Sequence, residues 1–180
     1  GGLIGCASDV KISESSNHAY VSTSSRDTVN SASGGLVGFN SGSLSIVNSY
    51  NSGSVRGNVV GGFVGSSVGK LNIVNAINLY AVSGTFESTP VRILGKYNEA
   101  ETYVDNCFYY GDREHEANSF AALADEDNLK NGVIAMLLRG YNKDGVDGSV
   151  WGQRIGASGL GLSGKILVEY HIDMYDFDSL

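Results

Sequence analysis

The stretch Gly34-Gly35-Leu36-Val37-Gly38 decides the fold, because near copies of it occur elsewhere in the chain. Gly1-Gly2-Leu3-Ile4-Gly5 precedes it by 33 residues, and Gly61-Gly62-Phe63-Val64-Gly65 follows it by 27 residues. In a fourth, poorer copy, Ile93-Leu94-Gly95 takes the place of the last three residues. Self-similarity at steps of about 20 to 50 residues is typical of solenoids, propellers and arrays. The sequence therefore predicts a repeat protein.

Each block continues in a similar way. An asparagine follows the last glycine after ten residues in two copies and after eleven in the fourth. The residues that recur in this register are Gly34, Gly35, Gly38, Gly61, Gly62, Gly65 and Gly95, with Asn48, Asn75 and Asn106. Between glycine and asparagine, apolar residues such as Leu71 and Ile73 alternate with small polar ones, and this period of two favours half-buried strands. We expect the glycines to supply positive φ angles in the turns.

A unit of this size cannot bury both of its faces, so its copies should stack about 4.8 Å apart. The predicted fold is mainly β, a short right-handed parallel β-helix of about four coils formed by residues 1–112. The serine-rich insertion Val21–Ala32 is predicted to be an exposed loop.

Beyond Gly111 the composition changes, and residues 113–180 are predicted to form a capping region. Helical spacing predicts a helix over about 121–139, followed by strands. The apolar stripe of this helix consists of Leu129, Val133, Ile134 and Leu137. Laid over the open end of the solenoid, the stripe would hide strand edges that otherwise recruit other chains.

The recurring asparagine has two interpretations. In the first, Asn48, Asn75 and Asn106 occupy one corner of the stack, and their side-chain amides donate and accept along it as a ladder. In the second, asparagine is present only because it is favoured in turns. The sequence leaves both open.

Residues 34–55 resemble the GLUG repeat of bacterial surface and secreted proteins. The resemblance is carried by the glycine block, by Asn48-Ser49-Tyr50 and by Gly53-Ser54-Val55, and residues 61–86 are a second good copy. That family is associated with adhesin-like proteins and with the non-catalytic part of an immunoglobulin A metallopeptidase. Its repeats are expected to coil as a β-helix. The resemblance implies an extracellular or cell-surface scaffold and no particular chemistry.

Charge and cysteine content exclude several classes of partner. The formal net charge is −7, and neither half of the chain is basic, so nucleic acid is not an expected partner. No apolar run is long enough for membrane insertion, and we expect the chain to be a fragment of a longer exported protein. Cys6 and Cys107 should lie three coils apart, about 14 Å, which exceeds the limit of about 7 Å for a disulfide.

Patterns that would indicate catalysis are weak. A metallopeptidase needs two histidines around a glutamate, and His115-Glu116 lacks the second histidine. Asn142, Asp144 and Asp147 resemble part of a calcium loop, but the alternate ligands and the closing glutamate are missing, which favours a turn. We therefore predict no catalytic residue, no metal and no cofactor.

Three hypotheses for function follow. The first is a non-enzymatic structural or adhesive module of an exported bacterial cell-surface protein, whose partner is a host or bacterial surface glycan or protein. The second is a carbohydrate-binding solenoid, with Tyr50, Tyr80 and Tyr110 as candidate glycan contacts. These tyrosines are thirty residues apart, but they stand at different distances from the recurring asparagines, so an aligned row would need bulges. The third is a fragment of a polysaccharide lyase or hydrolase, which would need grouped acids.

Overall fold

A computed structural model describes residues 1–24, 31–84, 92–111, 121–153 and 159–162. It confirms the predicted fold class. Parallel stacked sheets form a β-solenoid of about three turns, and two short α-helices lie near the C-terminus. Within the described ranges, no helix combines the length and apolar content that crossing a bilayer requires.

Each turn of the solenoid consists of short strands. The first coil contains β1 (Ile4–Ala7), β2 (Val10–Ser13), β3 (Ser16–Asn17) and β4 (Val21–Ser22). The second contains β5 (Ala32–Gly34), β6 (Val37–Asn40), β7 (Leu44–Val47), β8 (Tyr50–Asn51) and β9 (Val55–Gly57). The third contains β10 (Val59–Gly61), β11 (Val64–Ser67), β12 (Leu71–Asn78) and β13 (Val82–Gly84). A fourth coil, partial within the described residues, contains β14 (Leu94–Lys96), a 3-10 turn at Glu99–Glu101 and β15 (Thr102–Tyr110).

Equivalent strands of successive coils pair in parallel and build the faces of the solenoid. One face has the strand order β1-β6-β11-β14. Another, shorter face has the strand order β4-β9-β13. The longest sheet, here called the long face, has the order β2-β7-β12-β15, with β3 and β8 continuing it around a corner. Leu44 of β7 stands beside Leu71 of β12, which confirms the register inferred from the repeat.

The interior of the solenoid is filled by inward residues of these strands and of the bends that precede them. Leu36, Ile46, Phe63 and Ile73 are completely inaccessible to solvent and belong to one continuous apolar cluster. Burying an aliphatic or aromatic side chain of this kind stabilises a fold by about 1.5 to 3 kcal/mol. The alternation of apolar and polar residues along each strand therefore places apolar side chains inside the solenoid and polar side chains on its outer surface.

The repeat glycines have a different role from the one predicted. Positive φ angles among the described glycines occur only at Gly111, Gly132 and Gly145, none of which belongs to a repeat block. A Cβ atom on Gly34 or Gly65 would instead come within 3.0 Å of backbone atoms in neighbouring segments. These glycines are needed because the backbones approach too closely for any side chain.

The region after the fourth coil corrects the prediction of a continuous helix over about 121–139. Ala121–Ala124 is a strand, β16, which pairs in parallel with Cys107–Tyr110 of β15 and adds a fifth layer to the long face. The helices α1 (Glu126–Lys130) and α2 (Val133–Arg139) follow, separated at Gly132, whose φ is 84°. Glycine weakens a helix interior, and the left-handed backbone of Gly132 here divides the predicted helix into two.

The chain ends, within the described residues, in two small antiparallel hairpins. The first pairs β17 (Asn142–Lys143) with β18 (Val146–Asp147), and a 3-10 turn at Gly148–Val150 follows. The second pairs β19 (Trp151–Gln153) with β20 (Leu160–Leu162). We call α1, α2 and these hairpins the C-terminal clasp. The insertion Val21–Ala32 begins in β4 and ends in β5, and its residues 25–30 lie outside the described residues, as do residues 163–180 of the predicted capping region.

Candidate functional site

The recurring asparagines form a hydrogen-bonded row along one corner of the solenoid. The Asn75 Nδ2 donates to the Asn48 Oδ1 at 2.6 Å, and the Asn106 Nδ2 donates to the Asn75 Oδ1 at 2.6 Å. All three residues have positive φ angles, 46°, 56° and 47° in chain order. Asparagine tolerates this left-handed backbone better than most residues. Both interpretations of the pattern therefore apply, since each asparagine makes a turn and also bonds to the next coil.

A second asparagine row, which the sequence analysis missed, runs parallel to the first. Asn17 Nδ2 donates to the Asn51 Oδ1 at 2.9 Å, and Asn51 Nδ2 donates to the Asn78 Oδ1 at 2.8 Å. All three residues are buried. A Cβ atom on Gly35 would come within 3.0 Å of the Asn51 side chain, and one on Gly62 would do the same at Asn78. The second glycine of each block thus makes room for this row.

A sequence signal for the second row was present. Asn51 follows Asn48 by three residues, and Asn78 follows Asn75 by three residues. The first coil has Glu14 at the equivalent of Asn48, with a φ of 49°, but keeps Asn17 at the equivalent of Asn51. The fourth coil keeps Asn106 but has Tyr109 opposite Asn78. Each row is therefore three asparagines long.

The C-terminal clasp docks on the first row and so lies along the side of the solenoid. The Leu138 carbonyl accepts from the Asn75 Nδ2 at 3.0 Å, and the Asp147 carbonyl accepts from the Asn48 Nδ2 at 2.8 Å. Trp151 is fully buried, and its Nε1–H donates to the Asn48 Oδ1 at 3.3 Å. This placement corrects the predicted helix over the open end, because the hydrogen bonds of the clasp run across the second, third and fourth coils.

The buried face of α2 also differs from the predicted stripe. Ile134, Ala135 and Leu138 are buried against Ile77 and Phe108 of the solenoid, whereas Leu137 is 44% exposed. The seven residues of α2 are too few for a helical stripe to be read reliably from the sequence. Two contacts fix the orientation of α2 about its axis: its apolar packing against the long face and the hydrogen bond from Asn75 to the Leu138 carbonyl.

Replacing Trp151 by phenylalanine tests how far the clasp depends on the asparagine row. The substitution removes the bond to Asn48 and leaves a small cavity, so the free energy of unfolding should fall by about 2 kcal/mol. Urea denaturation followed by far-ultraviolet circular dichroism measures this change. Leu137→Ala, on the exposed side of α2, is the matched control and should change stability by less than about 0.5 kcal/mol. Equal stability of the Trp151→Phe variant and the unaltered chain would contradict this account of docking.

The three candidate tyrosines occupy different positions in the sheet register and do not form a row. Tyr50 is half-buried and packs between His18 and Trp151, with ring centroids 5.3 Å and 6.0 Å away. Tyr80 is 53% exposed beyond the end of β12, and Tyr110 is half-buried at the end of β15. In the register of the sheet, Tyr50 stands opposite Ile77. The different distances of these tyrosines from the recurring asparagines were therefore a correct objection to an aligned row.

A different tyrosine, Tyr103, is exposed on the outer side of the long face. Its outward position matches Asn72 in the third coil, Ser45 in the second and Lys11 in the first. The ring is 47% exposed, and beside it lies a hollow of about 570 Å³ lined in part by Lys70, Asn72 and Glu101. Alternation along β15 could have identified Tyr103 as outward-facing, but the thirty-residue spacing of Tyr50, Tyr80 and Tyr110 favoured those tyrosines.

Polar side chains of the clasp form hydrogen bonds with Asp105 on the outer side of the long face. Asp105 Oδ2 accepts from the Lys143 Nζ at 2.9 Å, from the Tyr141 hydroxyl at 2.9 Å and from the Tyr103 hydroxyl at 3.1 Å. The hydrogen bond from Lys143, followed by that from Tyr141, lowers the pKa of the Asp105 carboxyl below its ordinary value of 3.8. Burial, together with the bond to Asp105, raises the pKa of Tyr141 to about 12.

Stability should depend on pH through Asp105. A carboxyl whose pKa is lower in the folded state contributes stability that is complete above its ordinary pKa and is lost as the pH falls through the folded pKa. At pH 7, Asp105→Asn should therefore destabilise the fold by about 1 kcal/mol, a modest value because the pair with Lys143 is partly exposed to solvent. The difference between the two chains should shrink as the pH falls below 3.8.

Urea denaturation at a series of pH values measures that difference. Lys143→Met is the matched control, because removing the cation should abolish part of the same pH-dependent stability. A stability difference between Asp105→Asn and the unaltered chain that stays constant from pH 7 to acid would contradict the assignment.

The remaining candidate groups have structural explanations where they are described. Asp144 and Gly145, with φ angles of 53° and 77°, form the two-residue turn between β17 and β18, as the favoured interpretation predicted. Cys6 is exposed and Cys107 is buried, and both are free thiols. Burial raises the pKa of the Cys107 thiol to about 12. His115 lies outside the described residues, and in the described part of the chain no three His, Cys, Asp or Glu side chains are grouped for metal binding.

These features define the class of protein: a β-solenoid with asparagine ladders and a C-terminal clasp docked on its side. Comparison with protein-family models, with curated proteins and with solved structures found no match for the chain.

Proposed function

We propose that this chain is a non-enzymatic structural or adhesive module of an exported bacterial cell-surface protein. The structural role of the recurring glycines and asparagines supports this proposal most strongly. The repeat glycines allow the backbones of neighbouring segments to approach closely, and hydrogen bonds in both asparagine rows join one coil to the next. Residues repeated in this way serve the rigidity of the scaffold, and a rigid, laterally braced solenoid suits a stalk or a display surface.

The resemblance of residues 34–55 and 61–86 to the GLUG repeat supports the location outside the cell. An extracellular module attached to a surface is stressed along its length, and the clasp ties three successive coils together through Asn48, Asn75 and Asn106. We expect the partner to be a glycan or protein of a host or bacterial surface.

The proposal is tested by looking for adhesion and turnover in the same samples. Beads coated with the purified chain are passed over surfaces carrying mucin, bacterial polysaccharides or host matrix proteins, and the fluid is analysed for released sugars and peptides. Retention of coated beads above bare beads, without product, is the expected result. Release of product that increases with the amount of the chain would contradict the non-enzymatic assignment. Beads that are retained nowhere would contradict adhesion and leave a structural stalk.

A second candidate function is carbohydrate binding. It is favoured by one specific observation, the exposed ring of Tyr103 beside the amide of Asn72 on the outer side of the long face. Tyr50 and Tyr110 are less suitable as glycan contacts because each is half-buried. Tyr80 remains exposed, but it follows Ile77, the partner of Tyr50, by three residues and so does not lie opposite Tyr50.

A further inference from the structure

The hollow beside Tyr103 has the dimensions of a ligand site. Its volume is about 570 Å³, and its lining includes Lys70, Asn72, Glu101 and Tyr103. Small-molecule sites in proteins commonly measure about 300 to 1,000 Å³. Asn72 and Tyr103 lie on the neighbouring strands β12 and β15 of the long face, and strands hold side chains more firmly than loops do, whereas Lys70 and Glu101 lie immediately before these strands.

The ring of Tyr103 is held in place before any ligand arrives. Its hydroxyl donates to the Asp105 Oδ2 at 3.1 Å and accepts from the Lys143 Nζ at 3.4 Å. The ring itself is 47% exposed. A fixed aromatic face with an accessible surface loses little conformational freedom on binding, and its negative face attracts polarised C–H groups.

Hydrogen-bonding groups surround this ring. Asn72 lies beside Tyr103 in the register, and its Nδ2 donates to the Ser45 Oγ at 3.3 Å. That bond uses one amide hydrogen and orients the amide, whose carbonyl oxygen can accept a further bond. Lys70 and Glu101 add a donor and an acceptor. Their opposite charges balance, so the lining favours an uncharged ligand that offers several hydroxyl groups and one apolar face.

We propose that this hollow binds a neutral pyranose unit of a linear glycan, with the apolar face of the sugar on Tyr103 and its hydroxyls on Asn72, Lys70 and Glu101. The inference rests on the proposed function, since it names the ligand class of an adhesive module. A linear chain is indicated because the outward row from Tyr103 through Asn72 and Ser45 to Lys11 crosses four coils in one direction.

Affinity electrophoresis and calorimetry with neutral glycans test the proposal. The probes are β-linked hexamers of glucose, mannose and N-acetylglucosamine, with polygalacturonate as an anionic probe. We expect saturable binding to at least one neutral hexamer and weaker binding to polygalacturonate. Tyr103→Ala should weaken binding about tenfold or more, whereas Tyr103→Phe, which keeps the ring, should lose about threefold or less.

Tyr80→Ala is the matched control, because Tyr80 is as exposed as Tyr103 but lies outside the hollow. It should leave affinity unchanged, and circular dichroism must show that all variants remain folded. Absence of binding to every neutral hexamer, preference for polygalacturonate, or equal affinity of Tyr103→Ala and the unaltered chain would overturn the inference. None of these outcomes contradicts a non-enzymatic scaffold, which fails only if the chain releases product.

Discussion

Replacing Gly65 by alanine should lower the free energy of unfolding by about 3 kcal/mol, because the added methyl group has no space between coils. A Cβ atom at this position would be 2.6 Å from the Ser33 amide nitrogen and 2.8 Å from the Gly38 carbonyl oxygen. Both neighbours are backbone atoms and cannot rotate away. The φ angle of Gly65 is not positive, so the cost comes from crowding and not from backbone strain. Thermal and urea denaturation measure the change.

Gly5 provides a matched control for this substitution. It is the last glycine of the first block, as Gly65 is of the third, but a Cβ atom on Gly5 would meet nothing within 4 Å. Gly5→Ala should therefore change stability by less than about 0.5 kcal/mol. Similar losses for the two variants, or no loss for either, would show that coil stacking does not depend on glycine in the way described.

Replacing Asn75 by alanine should be at least as damaging, lowering the free energy of unfolding by about 4 kcal/mol. The change removes bonds to Asn48, to Asn106 and to the Leu138 carbonyl. It also places alanine at a φ of 56°, a left-handed conformation that costs about 1 to 2 kcal/mol for a residue with a Cβ atom. Denaturation in urea gives the loss directly.

A glycine substitution separates the two contributions at Asn75. Asn75→Gly keeps the left-handed backbone accessible, so it should recover about 1 kcal/mol relative to alanine while still lacking the hydrogen bonds. Asn72→Ala, on the same strand but half-exposed, should cost about 1 kcal/mol or less. If Asn75→Ala melts at the same temperature as the unaltered chain, the ladder does not stabilise the solenoid.

The sequence was sufficient for the repeat and its register. Period-two alternation around Leu71 and Ile73 predicted strands, and the ten-residue spacing from Gly65 to Asn75 placed equivalent residues in one stack. The use of the glycines was misjudged. A dense glycine pattern is compatible with turns and with close stacking. The structure shows that, in the repeats, Asn48, Asn75 and Asn106 adopt the left-handed backbone, whereas glycines such as Gly34 and Gly65 leave space for neighbouring backbones.

The clasp and the hollow could not be predicted in the same way. The bond from Asn48 to the Asp147 carbonyl joins residues 99 positions apart, and no periodic pattern records such a contact. The strand over Ala121–Ala124 could not be predicted because its residues have a high helix propensity. Pairing with β15 overrides that propensity. Tyr103 became a candidate only when Asn72, Asp105 and Lys143 were seen around it.

Both asparagine rows can be observed directly by hydrogen exchange of side-chain amides in a nitrogen-15-labelled sample. The buried amides of Asn51, Asn75 and Asn78 should exchange about a hundredfold or more slowly than the exposed amide of Asn142, because exchange requires the coils to separate. That result would establish that recurring asparagines hold successive coils together. Exchange of all four amides at the same rate would contradict the central claim, since side chains free to meet water cannot form a ladder that bonds the coils.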